Sequence, residues 1–320
     1  MRWDSWQDDR FLPGYRSRDL RLLAARRYPE ESDGCLTATL VRRNRPRHPR
    51  AVLYLHGWND YFFQTHLADF WDDLGYDFYA LDLRRYGRSL HPGELPGYVD
   101  DLEDYDLEID AAVDRLHRHH AQVVLCAHST GGLVGALWAH RRPGLVTGVV
   151  LNSPWIDLQS SALVRAIAAP IVRSLATRAA TWPIPARDNG FYGRALHTSH
   201  GGEWDWDLTV KTNPTQPVRS GWLRAVMDGH NRVSEGLQID CPVLMLVSAR
   251  SSFRRRWSDE PSRCDIVLDV ERLAAQAPNL GRHLTLVRVE GGVHDLTLSA
   301  PPVRARFFDE VRRWEGAYLR

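Results

Sequence analysis

The stretch from Val123 to Leu133 constrains this chain more than any other. Val123-Val124-Leu125-Cys126 is a short apolar run, the pattern of a buried strand. It stops at Ser129, passes Gly131 and Gly132, and continues as Leu133-Val134-Gly135-Ala136-Leu137-Trp138-Ala139 with helix-like spacing. A strand that turns this sharply into a helix lifts the turn residue above the sheet edge in a strained conformation, beside the free N–H groups of the helix start. A serine there presents its hydroxyl to a cleft. The turn reads Ala127-His128-Ser129-Thr130-Gly131, so alanine stands at the first glycine of a G-x-S-x-G elbow. Alanine is the next smallest side chain, and close strand–helix approach survives it. The bland alternative is a Ser-Gly turn at a strand end.

Either side of this elbow, strands alternate with helices. Arg18–Arg26 and Leu36–Arg42 read as an opening antiparallel hairpin at a sheet edge. Ala51-Val52-Leu53-Tyr54-Leu55 is a continuous apolar run, as in strands buried on both faces, and ends in His56-Gly57-Trp58. A helix over 62–74, a strand over 77–82 and an amphipathic helix over 98–120 follow, the last with Leu102, Tyr105, Ile109, Val113 and Leu116 on one face. After the elbow come a strand over 146–151, one over 242–247, a helix over 266–276, a strand over 284–289 and a final helix over 302–318. This rhythm predicts an α/β fold with a mostly parallel central sheet and helices on both faces. It breaks between Trp155 and Leu237, where one apolar helix (162–176) precedes mixed aromatic and polar sequence. That stretch is expected to be a cap inserted into a core of residues 1–154 and 238–320.

A serine hydroxyl needs a histidine to take its proton, a carboxylate to fix that histidine's tautomer, and donors for the developing oxyanion. His294 lies just past the last strand, after Gly291-Gly292, and is the expected base. Asp265, before Ile266-Val267-Leu268, is the expected acid, although an N-cap role would equally place an aspartate there. Asp259 is the alternative. The expected oxyanion donors are the backbone N–H groups of Trp58 and Thr130.

These residues carry a resemblance. His56-Gly57-Trp58, the turn Asp82-Leu83-Arg84-Arg85-Tyr86-Gly87-Arg88-Ser89, His128-Ser129-Thr130-Gly131-Gly132, Asp265 and His294 resemble an α/β-hydrolase fold serine hydrolase of the monoacylglycerol lipase and lysophospholipase type, also called the serine aminopeptidase S33-like group. The Asp82–Ser89 turn is similar to the family's D-x-R-G-x-G-x-S, with Arg85 at the first glycine. The resemblance implies a serine esterase acting on a small-molecule acyl ester through an acyl-enzyme, without metal or organic cofactor. An amidase, peptidase or thioesterase would use the same machinery, and Glu203, Asp205 and Asp207 are the acidic cap residues an aminopeptidase would need. A noncatalytic binding protein on this scaffold generally lacks a triad member.

Trp155, Trp182, Phe191, Tyr192 and Trp222 are expected either to line an acyl pocket or to pack the cap. The formal net charge of +1 provides no global field for nucleic acid or an anionic membrane. Four widely spaced cysteines, a polar amino terminus and the lack of a spanning apolar run read as a cytoplasmic protein with free thiols. His117, His119 and His120 lack a carboxylate or cysteine to complete a metal set, and read as cations at a helix end.

Overall fold

Nine strands build one sheet: β1 (Gln7–Asp8), β2 (Arg16–Arg21), β3 (Thr37–Arg42), β4 (Arg50–Leu55), β5 (Asp77–Asp82), β6 (Gln122–His128), β7 (Gly148–Asn152), β8 (Val243–Ser248) and β9 (Leu284–Val289). Their spatial order is β1-β2-β3-β5-β4-β6-β7-β8-β9. The β1–β2, β2–β3 and β3–β5 pairs are antiparallel, and every pair from β5 through β9 is parallel. This is the α/β-hydrolase fold. The computed structural model describes residues 5–158, 162–184, 188–253, 256–257 and 262–319, with the side chains of 162–168 excepted.

The continuous apolar strands are explained by two interiors, one on each face. Val52, Tyr54, Val124, Cys126, Val150, Leu244 and Leu246 point to one. There they meet Phe70 and Trp71 of α1 (Thr65–Asp73) and Phe307, Val311 and Trp314 of α8 (Pro301–Tyr318). The alternate residues Leu53, Leu55, Val123, Leu125, Val149, Leu151, Val243 and Met245 point to the other. That face is covered by α2 (Asp106–His117), α3 (Ser129–Arg141) and α7 (Val270–Gln276). The period-2 alternation of a strand makes both sets apolar, so no polar face is left to read in the sequence.

Several boundaries differ from expectation for local reasons. The helix expected over 62–74 starts at Thr65, whose N–H donates back to Phe63 O, while the Phe62 N–H donates to the Asp82 carboxylate. The helix expected over 266–276 starts at Val270, and its N-cap is Asp269, which accepts the N–H groups of Glu271 and Arg272. Asp265 is therefore not the N-cap.

The segment joining β7 to β8 holds α4 (Ala162–Arg178), α5 (Phe191–Leu196) and α6 (Ser220–Ser234), where one helix was expected. In α6, Trp222, Ala225, Val226 and Val233 are buried in the interior that also holds Leu133 and Leu137 of α3. All four cysteines are free. No helix among the described residues is long and apolar enough to cross a membrane.

Candidate active site

β6 ends at His128, still extended at φ −114° and ψ 138°, and the next residue, Ser129, has φ +51°. A non-glycine residue in the left-handed region costs of the order of 1–3 kcal/mol and persists only where its surroundings fix it. Here the close packing of the turn does so. A Cβ on Gly131 would stand 2.2 Å from the His56 carbonyl oxygen and 2.9 Å from that of Leu55. The alanine at 127 is accommodated from the helix side. Its Cβ faces Gly135, whose own Cβ, were there one, would lie 3.4 Å away.

The carboxyl ends of the later strands bring the partners to this serine. His294 Nε2 lies 2.9 Å from Ser129 Oγ, and its Nδ1 lies 2.9 Å from Asp265 Oδ2. The second oxygen of Asp265, Oδ1, accepts the N–H groups of Val267 and Leu268, both at 2.7 Å. One carboxylate thus both organises its own turn and holds the imidazole. Asp265 is fully buried. The chain from 249 to 269 is pinched at its base by a bridge between Ser251 and Asp265, with Asp265 N–H donating to Arg250 O and Ser252 N–H to Asp265 O. Ser248 Oγ lies 2.7 Å from Gly292 O and 3.0 Å from Arg250 O, joining the acid loop to the histidine loop. Asp259 lies outside the described residues.

Beneath the histidine is a polar bed that sequence reasoning left without a role. The Asp295 carboxylate accepts Asn152 Nδ2 at 2.7 Å, Thr297 Oγ1 at 2.7 Å and Gln64 Nε2 at 3.1 Å. Burial pushes the pKa of Asp295 up, but His128 and these donors outweigh it and hold the carboxyl below the usual range. The ring of His128 stands 4.9 Å from that of His294, and its Nδ1–H donates to Asn152 O at 3.1 Å. Burial pushes the His128 pKa below the usual imidazole range, against the opposing pull of the nearby Asp295 carboxylate.

The loop after β4 supplies Trp58. His56 accepts the Leu83 N–H at Nε2 (3.0 Å), which leaves Nδ1 protonated to donate to Gly57 O at 2.8 Å. Among the described residues, neither the Trp58 N–H nor the Thr130 N–H donates to a protein acceptor. The Asp82–Ser89 turn supports this loop. Arg85, standing where glycine is usual, has φ +66°, and its buried guanidinium pairs with Glu31 at 2.6 and 2.7 Å and donates to Tyr98 O and Arg26 O. Those bonds offset the backbone strain.

A cavity of about 420 Å³ opens over the serine. Trp155, Tyr192 and Trp222 line it, with Val218, Ile266 and Leu268. Two expected lining residues do not. Trp182 is 63% exposed in the turn after α4, and Phe191 packs edge-on against Trp257 at 5.5 Å. Asp60 and Lys211 also line the cavity and form a buried ion pair at 2.6 Å; 151 residues separate them, and no local pattern joins them. Among the described residues, only His48, Asp72 and Asp77 group as metal ligands do. They sit at the amino end of β5, away from this site, and their carboxylates already bind Arg47 and the His48 N–H.

Residues 46–298 match the family described as serine aminopeptidase, S33. The chain belongs to that family. The S33 match spans Trp58, Ser129, Asp265 and His294, and leaves β1–β3 and the whole of α8 outside it. The chain is also 30% identical over 110 residues to phospholipase YtpA of Bacillus subtilis (strain 168), a match covering 34% of this chain and 41% of that relative. The chain thus matches less than half the length of that curated relative. Among solved structures, a monoacylglycerol lipase from Paleococcus ferrophilus superposes with a TM-score of 0.62 at 18% identity, covering 83% of this chain and 94% of its own. A soluble variant of monoglyceride lipase from Saccharomyces cerevisiae, in complex with a substrate analog, gives 0.62 at 16% identity over 93% and 97%. At such identities the likeness is one of fold. This S33 protein has the α/β-hydrolase fold, and the proteins it is similar to include a phospholipase, a monoacylglycerol lipase and a monoglyceride lipase.

Proposed function

We propose that this S33 enzyme hydrolyses carboxylic esters of apolar acyl groups through an acyl-enzyme on Ser129. The observation that carries the reading is the unbroken chain Ser129–His294–Asp265, at 2.9 Å for each link, opening on an aromatic-lined cavity. His294 takes the hydroxyl proton as Ser129 Oγ attacks the carbonyl carbon. The resulting oxyanion is met by the N–H groups of Trp58 and Thr130, and Asp265 stabilises the imidazolium. Collapse of the tetrahedral intermediate breaks the ester bond, and the His294 proton leaves with the alcohol. Water, deprotonated by the same histidine, then releases the acid. Residues 155–237 serve in this reading as a cap that encloses the acyl group against Trp155, Tyr192, Trp222 and Leu268.

Ester cleavage is favoured over aminopeptidase action by where the acidic residues lie. Glu203 pairs with Arg304, and Asp207 accepts the Thr209 hydroxyl and N–H. Neither they nor Asp205 lines the cavity. The Asp60 carboxylate is neutralised by Lys211, and that of Asp188 accepts the N–H groups of Gly190 and Thr215. Among the described lining residues, Asp60 is thus ion-paired and both oxygens of Asp188 are engaged by backbone N–H groups, so no pair of open carboxylates faces the cavity to bind an amino terminus. The test is covalent: a fluorophosphonate probe labels the wild-type enzyme and leaves Ser129→Ala unlabelled. Equal labelling of the two proteins refutes the nucleophile. Peptide amides turned over faster than acyl esters refute the bond assignment.

A further inference from the structure

Three consecutive residues of the oxyanion loop are fastened to one stretch of the segment between β7 and β8. Asn59 Nδ2 donates to Thr212 O at 2.8 Å, and its Oδ1 accepts the Thr212 hydroxyl at 3.1 Å and the Thr212 and Gln216 N–H groups at 3.4 and 3.5 Å. The Asp60 carboxylate takes Lys211 Nζ at 2.6 Å. The Tyr61 hydroxyl accepts the Asp207 N–H at 2.9 Å. Asn59 itself is left-handed, at φ +51°. Asparagine tolerates that region better than most non-glycine residues, and here its side chain is bonded to Thr212 and Gln216 of the stretch 206–216.

The chemistry at the centre of this fastening is specific. Of the 41 basic residues in the chain, Lys211 alone is lysine. Its side chain is 9% exposed and that of Asp60 3%, and the ammonium sits 5.4 Å from the Phe63 ring and 5.2 Å from that of Trp206. A compact cation on an unbranched stem fits between two rings and one carboxylate, whereas a planar guanidinium presents a wider fork. Removing the cation leaves a buried, unpaired carboxylate two residues from Trp58, which that segment of chain must move to solvate.

We infer that residues 206–216 position the oxyanion loop, and that Lys211, acting through Asp60, is the positioning residue that holds the Trp58 N–H where the oxyanion forms. This rests on the serine-hydrolase reading above and adds to it that the inserted segment sets the transition-state donor as well as enclosing substrate.

The experiment compares wild type, Lys211→Met, Lys211→Arg and Thr212→Val on p-nitrophenyl butyrate, with inhibition by a trifluoromethyl ketone whose serine adduct carries the oxyanion. Lys211→Met is expected to lower kcat about 30-fold with KM within about threefold, since misplacing one donor costs part of the 10²–10³ that losing it costs. The ketone inhibition constant rises by the same factor. Lys211→Arg, which keeps the charge, recovers kcat to within about tenfold of wild type. Thr212→Val, a milder change should Lys211→Met fold poorly, gives the same pattern at about threefold. A rise in KM at unchanged kcat overturns the inference and makes Lys211 a contact for an anionic substrate group. Unchanged kcat and inhibition overturn it outright, as does activity that merely tracks the folded fraction. Wild-type protein inert to both ester and fluorophosphonate instead overturns the serine-hydrolase reading and this inference with it.

Discussion

Replacing Asp265 with asparagine tests how one carboxylate serves two masters. Oδ1 accepts two N–H groups at 2.7 Å and Oδ2 faces His294 Nδ1 at 2.9 Å. Asparagine keeps one oxygen and turns the other position into a donor. Pointing the NH₂ at Val267 and Leu268 would strand two buried N–H groups, at about 1–3 kcal/mol each. The amide oxygen therefore stays with the turn and the NH₂ faces the imidazole. Nδ1 must then accept, the ring proton moves to Nε2, and the lone pair that takes the Ser129 proton is lost. Loss of the correct tautomer in a serine triad costs about 10⁴ in kcat, or roughly 5.4 kcal/mol. The fold, by contrast, keeps its hydrogen bonds and loses a buried charge, so the thermal midpoint shifts by less than about 4 °C. Ester turnover from pH 6 to 10 and a melting curve on the same preparation are the assay. A variant within tenfold of wild type, or one that loses activity only by unfolding, refutes the reasoning.

Two further outcomes follow from the turns around the site. Gly131→Ala drives a methyl to within 2.2 Å of a backbone oxygen that cannot swing aside, so stability in urea falls by about 3 kcal/mol or more and turnover falls with it. Arg85→Gly relieves about 1–2 kcal/mol of left-handed strain but leaves the Glu31 side chain buried and unpaired, for a net loss of about 2 kcal/mol at pH 7. Burial raises the Glu31 pKa, yet Arg85 and the N–H groups of Leu95 and Tyr28 hold it lowered. Its stabilisation is therefore present above the unfolded value, near pH 4.5, and is lost as the pH falls through the lowered one. The gap between variant and wild type should hold from pH 7 down to about pH 4.5 and narrow below it in urea titrations; a gap that stays constant below about pH 4.5 argues against the pair.

The parts of this molecule legible in sequence are those encoded locally. Ala51–Leu55 and Val123–Cys126 announce strands because two apolar interiors leave no polar face. Ser129 and His294 announce themselves because each follows a strand beside paired glycines. Asp265 was expected as the acid with an N-cap role as the alternative, because an aspartate that caps a turn and one that faces an imidazole look alike until its two oxygens are seen separately: Oδ1 accepts the turn's N–H groups and Oδ2 faces His294. Helix α6 was missed because its buried residues face α3 in the core rather than forming an isolated apolar run. Asn59, Asp60 and Lys211 were missed for the opposite reason: each is an ordinary polar residue, and only closure of the chain across about 150 positions gives it a partner. Aromatic content alone did not separate Trp222, which lines the cavity, from Trp182, which faces water.

The bridge between Ser251 and Asp265 has a consequence for how such an enzyme varies. Because the excursion between them is closed at its neck, the position of the acid does not depend on how many residues lie beyond it. Lengthening a closed loop costs little, about 0.6 kcal/mol for each doubling. A change of length beyond this neck is therefore expected to leave the distance from Asp265 to His294 unaltered. The number of residues between Ser251 and Asp265 is in this way decoupled from the reach of the carboxylate to the imidazole.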